Sequence, residues 1–280
     1  MSTATDHRSD PSSGHDRLDR APTRTRWDNT WPVKGPEVIR LVYAYLAVVG
    51  AGAVIGLILT DWTAPNAITR FDRRVTNAIV GHRTDVLDGL APWAAGPANT
   101  YIKILISTLI CVVLLWTFRR WDEAVYVALP LVFEATCFVT ITRIVDRPRP
   151  DVERLLQSSI HTSFPSGHTA AATVYVAVVV VVWRHNRSTL VRAASVGMFT
   201  LIALGVVWAR LYQGMHYLTD VTAGVVLGAA SVIITDRILD TSRSRRSSAN
   251  EDPADETDDR ALDGAGEPNG SLDRQGRSYL

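Results

Sequence analysis

The sequence predicts an all-α integral membrane protein with about six transmembrane helices. Two observations carry that expectation. Apolar and polar residues are segregated along the 280-residue chain, and the apolar ones gather into stretches of roughly 20 residues, the length that crosses bilayer hydrocarbon as a helix. Trp62, Trp116, Trp121, Trp183 and Trp208 fall at the ends of these stretches, where amphipathic rings favour the membrane–water boundary. Whole-chain averages conceal the pattern, since 47% hydrophobic, 20% charged and a mean hydropathy of +0.08 would suit an ordinary soluble protein.

Residues 1–36 are rich in Asp, Arg, Ser and Pro; they bury too little apolar surface to offset chain entropy and are expected to form a disordered cytoplasmic tail. A transmembrane domain is expected over 37–239, and a second disordered cytoplasmic tail over 240–280. Spans are predicted near Leu41 to Thr60, Tyr101 to Thr117, Ala124 to Val145, Ser166 to Trp183, Leu190 to Trp208 and Tyr217 to Ile238. The segment from Trp62 to Gly96 is too polar to cross and is interrupted by Pro65 and Pro92. Within it Phe71, Val75, Ile79 and Val80 recur at near-helical spacing opposite Arg73, Arg74 and Asn77, which predicts a helix lying along the outer surface.

An even span count puts both termini on one side. Arg119 and Arg120, then Arg184, Arg187 and Arg192, then Arg237, Arg243, Arg245 and Arg246 mark one set of span ends; by the positive-inside bias these face the cytoplasm. The expectation is a multi-pass protein of the plasma (inner) membrane, with the first span as its targeting signal because no apolar stretch stands close behind the first residues. The opposite loops also carry arginines. Those of the first are diluted by Asp72, Asp85 and Asp88, and the others coincide with polar clusters described below.

A net charge of +1 gives no basic field and argues against nucleic acid as a partner. Cys111 and Cys137 both lie in apolar runs and read as small packing residues. No cluster has metal-ligand spacing, so neither metal nor other cofactor is expected, and no protein partner is evident.

Three polar clusters stand at span ends. In Asp146-Arg147-Pro148-Arg149-Pro150 the prolines stop a helix while Arg147 and Arg149 present two guanidinium forks, whose geometry matches phosphate oxygens. A single arginine there would read as snorkelling; two fixed by alternating prolines do not. Pro165-Ser166-Gly167-His168 opens the fourth span. Pro165 suits a helix start, Ser166 and Gly167 leave backbone N–H groups uncovered, and the helix dipole favours an anion beside His168. The plainer alternative is a serine N-cap beside an interfacial histidine. The third cluster joins Arg210, the turn residue Gly214, and His216 with Asp220, four apart and so expected on one helix face. A buried carboxylate accepting from one imidazole nitrogen would fix the tautomer and leave the other nitrogen as a nucleophile. An ionisable pair at a span start is costly, which favours function over a pair that merely satisfies itself. All three clusters fall at the same membrane face under the predicted topology.

With these residues in view, the chain resembles the type 2 phosphatidic acid phosphatase superfamily, the lipid phosphate phosphatases that share a helical core with vanadium haloperoxidases, from about the second span to the sixth. The family motifs Lys-x6-Arg-Pro, Pro-Ser-Gly-His and Ser-Arg-x5-His-x3-Asp read here as Thr142-x6-Arg149-Pro150, Pro165 to His168 intact, and Ala209-Arg210-x5-His216-x3-Asp220. Thr142 and Ala209 depart from the pattern, removing a phosphate-neutralising charge and a hydroxyl.

The resemblance implies metal-independent hydrolysis of a phosphate monoester or diphosphate through a phosphohistidine. In that scheme His216 attacks phosphorus, Asp220 orients it and His168 protonates the leaving oxygen. Arg149, Arg210 and the backbone at Ser166 and Gly167 bind the phosphate, with Arg147 as a further candidate. A site on the extracytoplasmic face suits a membrane amphiphile: phosphatidic acid, phosphatidylglycerol phosphate or a polyprenyl diphosphate. The alternative is a protein of the same fold that binds or moves anionic lipid without hydrolysing it.

Overall fold

The computed structural model describes residues 31–60, 66–157 and 160–263. Helices α1 (Gly35–Leu59), α4 (Thr100–Phe118), α5 (Trp121–Ile144) and α8 (Thr189–Tyr212) each span a membrane by length and hydropathy. The other two spans are α6 (Gly167–Val174) continued by α7 (Val176–His185), and the first part of α9 (Leu218–Asp263). Two shorter helices, α2 (Ala67–Val80) and α3 (Asp85–Ala95), fill the segment between the first two spans. Among the described residues there is no named strand, and six helical stretches can cross, as a multi-pass membrane protein requires.

Helix starts follow local chemistry. Asn66 and Asn99 accept from the backbone N–H groups of Thr69 and Tyr101, and Thr84 and Ser188 from those of Leu87 and Val191; each supplies an acceptor for an orphan donor of the first turn. At α1 the Lys34 N–H donates to Glu37 Oε2 at 3.1 Å. No residue of α4 is buried, and α1 and α8 expose Val, Leu and Ile along much of their length, the pattern of helices whose apolar side chains face lipid.

The centre of the bundle is the pairing of α6 with α9. A Cβ on Gly224 would come 2.5 Å from the Ser166 carbonyl oxygen, and one on Gly228 would meet Ala170 and Thr173. Small residues four apart let two helix backbones approach this closely in a bilayer. Apolar side chains of α1, α5 and α9, among them Val49, Phe133, Ile141 and Leu227, close one side around Cys137 and Phe164. Tyr126, Val127, Val174, Val181 and Leu239 close the other. Both thiols are free.

Two expectations change. The boundary at 239 falls inside α9, which continues to Asp263; Leu239 is buried and Ser242 Oγ donates to the Pro32 carbonyl at 2.8 Å, so the helix is still packed beyond the predicted end. Residues 1–30 and 264–280 of the expected tails lie outside the described residues. The expected helix between the first two spans is α2; it packs Thr69, Asp72 and Thr76 against the protein and leaves Phe71 49% exposed on its apolar side. Pro92 sits inside α3 instead of breaking it, its ring nitrogen leaving one helix hydrogen bond unmade.

Candidate active site

His216 stands in the short connection between α8 and α9. Gly214 takes φ +69° there, and a Cβ would meet Val152 Cγ2 at 2.8 Å, so the turn needs glycine. Arg83 holds the end of α8 by donating from Nε and Nη2 to the Tyr212 carbonyl at 3.0 and 2.8 Å, and from Nη1 to the Glu153 carbonyl at 2.8 Å. Because α9 starts only at Leu218, His216 lies off the helix. The expected helical i, i+4 pairing with Asp220 is therefore not made: Asp220 Oδ2 is 3.9 Å from His216 Nδ1. Nδ1 instead lies 2.7 Å from the Ser163 carbonyl oxygen. A carbonyl only accepts, so Nδ1 carries the hydrogen and Nε2 keeps its lone pair.

Asp220 is fully buried and serves the backbone around His216. Its Oδ2 accepts from the Tyr217 N–H at 2.8 Å and its Oδ1 from Arg147 Nη1 at 2.5 Å. Arg147 also bonds Asp72 Oδ2 at 2.9 Å and Thr219 Oγ1 at 2.8 Å, and stacks over the Tyr217 ring at 4.5 Å. Thr219 Oγ1 in turn donates to Asp72. Arg147, expected to face phosphate, is 1% exposed and does not line the cavity; two buried carboxylates have claimed its fork. Its neighbour Pro148 forms an antiparallel bridge with Thr162, and its carbonyl accepts from the Ser163 N–H at 2.8 Å. Arg147 and His216 are thus anchored on the two sides of one residue, Ser163.

His216 lines a polar cavity of about 110 Å³. Arg149, His168, Arg210, His216 and Gly167 line it, together with Lys103 and Glu134. Arg149 is steadied by the Met215 and Ile160 carbonyls at 2.6 and 3.1 Å. Arg210 donates from Nη1 to Gln213 Oε1 at 3.1 Å, while its buried Nε has no hydrogen-bond partner in the protein. Burial, then the Arg210 and Arg149 cations, holds the His216 imidazole well below its usual range; the Ser163 hydrogen bond opposes them without prevailing.

Pro165 is not the first helical residue; α6 begins at Gly167, with Ser166 at the cap position. Ser166 is fully buried and away from the cavity. Its N–H donates to the Asp220 carbonyl at 3.0 Å and its hydroxyl pairs with Thr169 Oγ1 at 3.0 Å, so the close α6–α9 contact has taken the donor that was expected to meet phosphate. Gly167 and half-buried His168 do line the cavity at the first turn of α6, where the helix leaves N–H groups unmatched.

Several residues of this site were not singled out in the sequence. Lys103 on α4 and Glu134 on α5 line the cavity as an ion pair, Nζ to Oε2 3.7 Å. Their signal was available: each is an ionisable residue inside an apolar span, which rarely occurs without a role. Asp72, Ser163 and Thr219 carried no such signal, because their contribution depends on where distant loops fold. Thr142 turns its hydroxyl back to the Phe138 carbonyl at 2.7 Å and contributes nothing to the cavity. Among the described residues no three His, Cys, Asp or Glu side chains converge as metal ligands would.

Residues 123–244 match the model of the PAP2 superfamily. The fold is similar to the crystal structure of the first transmembrane PAP2-type phosphatidylglycerolphosphate phosphatase from Bacillus subtilis, with a TM-score of 0.60 and 20% identity over 74% of this chain and 98% of that one. The structure of LpxE from Aquifex aeolicus also matches, with a TM-score of 0.46 and 24% identity over 58% of this chain and 93% of that one. No curated protein matches the sequence. The matched segment runs from α5 into the first part of α9 and contains His168, Arg210, His216 and Asp220. Among the described residues six helices are long and apolar enough to cross a membrane, the make-up of a multi-pass membrane protein.

Proposed function

We propose that the protein hydrolyses a lipid phosphate or polyprenyl diphosphate at the outer membrane face through a phosphohistidine on His216. The observation that carries this is the Ser163 carbonyl on Nδ1, which leaves Nε2 unprotonated on a residue that lines one cavity with two arginines and a second histidine. Nε2 donates its lone pair to phosphorus, the bond from phosphorus to the leaving oxygen breaks, and His168 gives that oxygen a proton. Water then attacks the phosphohistidine, returning its proton to His168, and inorganic phosphate leaves with Nε2 restored. Arg149, Arg210 and the N–H groups at Gly167 and His168 stabilise the charge on the equatorial oxygens. Asp220 acts one step removed, holding the Tyr217 backbone and Arg147 in place beside His216.

A lipid substrate is supported by a second, apolar cavity of about 520 Å³ among α1, α2, α5 and α9. Pro165 belongs to the walls of both cavities, so a headgroup and its tail have adjoining places. The outer-face assignment rests on the arginines at the other span ends, which favour the cytoplasm.

The test is phosphate release by purified full-length protein from phosphatidic acid, phosphatidylglycerol phosphate and a polyprenyl diphosphate, with EDTA present. Release is expected to persist in EDTA and to fall at least about a thousandfold in His216→Ala. Equal lipid binding by both proteins with no release by either would instead identify a lipid carrier.

A further inference from the structure

Lys103 is one of two lysines in the chain and stands near the start of an otherwise apolar span. Its side chain is 18% exposed, toward the cavity that Arg149, Arg210, His168 and His216 also line. Its partner Glu134 is 1% exposed, yet the pair is 3.7 Å apart, beyond hydrogen-bond reach, and Glu134 Oε2 has no hydrogen-bond partner. A charged pair placed there for stability alone is hard to justify: taking both ions out of water costs several kcal/mol each and is repaid only by close geometry, which this pair lacks. Position 142 supplies no charge, since the Thr142 hydroxyl is turned back onto its own helix.

We propose that Lys103 is a phosphate-binding residue of the active site, held beside Glu134 and contributing the third cation of the cavity. This rests on the phosphatase reading above. Phosphoryl transfer spreads charge over three equatorial oxygens. Arg149 and Arg210 are tied to Met215, Ile160 and Gln213 and so have fixed forks. A lysine differs from them in being a compact charge on a flexible stem. Lys103 can shift between Glu134 and a phosphate oxygen within the same cavity, whereas a third guanidinium would demand a planar fit. Glu134 is its positioning residue: it keeps the ammonium at the cavity wall when no anion is bound.

The proposal is tested with vanadate as the probe, its dissociation constant measured on the full-length protein in detergent, alongside phosphate release from a short-chain phosphatidic acid. Lys103→Met and Lys103→Gln are compared with wild type, and thermal unfolding is recorded for each. Vanadate affinity and kcat/KM are expected to fall about tenfold or more in both variants, the loss of a charge-assisted hydrogen bond, while Lys103→Arg keeps part of each. Adding Thr142→Lys to Lys103→Met is expected to restore vanadate binding, because position 142 lies one turn beyond Phe138, which lines the cavity. Vanadate binding within twofold of wild type in both variants overturns the role of Lys103 even if wild type hydrolyses lipid. Loss of vanadate binding in the variants of a protein that releases no phosphate keeps Lys103 as an anion ligand and removes the phosphatase reading. Failure of wild type to bind vanadate removes both.

Discussion

His216 Nδ1 lies 2.7 Å from the main-chain oxygen of Ser163, while the carboxylate of Asp220 is 3.9 Å from the same nitrogen. The imidazole is therefore oriented by backbone, and the backbone is held by carboxylates. A carbonyl cannot take up a proton from the ring or follow it through titration, so the tautomer persists over a wide pH range.

That arrangement predicts a pH dependence. The His216 pKa is lowered by burial and by Arg210 and Arg149, so in the folded protein the ring stays neutral as pH falls through 6.5, the ordinary value. The unfolded chain binds that proton more readily than the native one. Stability from this group is complete above the ordinary value and declines below it. In ¹⁵N-labelled protein at pH 6.5, the His216 ring is expected to show a protonated Nδ1 and an unprotonated Nε2. An imidazolium signature at that pH would contradict the assignment.

Arg147 and Arg149 should part company under mutation. Arg147 pairs with Asp72 and Asp220 in a nearly solvent-free cluster, and Arg147→Met leaves two buried carboxylates uncompensated. A destabilisation of about 3–5 kcal/mol is expected, read as a fall in the unfolding midpoint in detergent. Arg149→Met should leave the midpoint near wild type while vanadate affinity drops about tenfold or more, as expected for losing a bond to a charged ligand. If both variants lose stability equally, the division between structural and substrate-facing arginine is wrong.

This division marks how far the sequence could be read. Span count and span ends were legible because a run of apolar residues needs no tertiary information to be a membrane helix. The cavity residues Arg149, His168, Arg210 and His216 were legible because motif spacing survives folding. Arg147 was misplaced because the fate of a guanidinium depends on which carboxylate arrives, and Asp72 arrives from a helix 75 residues earlier in the chain. Ser166 was misplaced for a similar reason: its N–H meets a carbonyl of α9 that only the Gly224 contact brings within reach. Helical phase misled for Asp220, since α9 begins two residues after His216.

The α6–α9 contact should tolerate no side chain at Gly224. A Cβ there would lie 2.5 Å from the Ser166 carbonyl oxygen and 3.2 Å from the Ala170 nitrogen, both backbone atoms. Gly224→Val is expected to cost about 1–3 kcal/mol by overpacking and to shift Gly167 and His168 relative to His216, lowering phosphate release beyond the loss in stability. Gly197→Ala on α8 is the control, because nothing lies within 4 Å of its added carbon; it should match or exceed wild-type stability by up to ~1 kcal/mol. Unfolding midpoints and specific activities of the two variants decide the matter.

The apolar cavity offers the sharpest separation of headgroup chemistry from tail recognition. Ala51, Ile55, Phe71, Thr222 and Val226 line it, and only Pro165 is shared with the polar cavity. A tryptophan at position 51 would fill part of the roughly 520 Å³ from α1 without touching any residue around His216. If the tail of the substrate lies there, Ala51→Trp raises the barrier for long-chain substrates through lost apolar contact, by about tenfold in kcat/KM for ~1.4 kcal/mol. Hydrolysis of a short-chain phosphatidic acid and binding of vanadate stay at wild-type levels, since neither reaches the second cavity. Equal losses on long and short chains would place the tail elsewhere and reduce the cavity to a gap between helices.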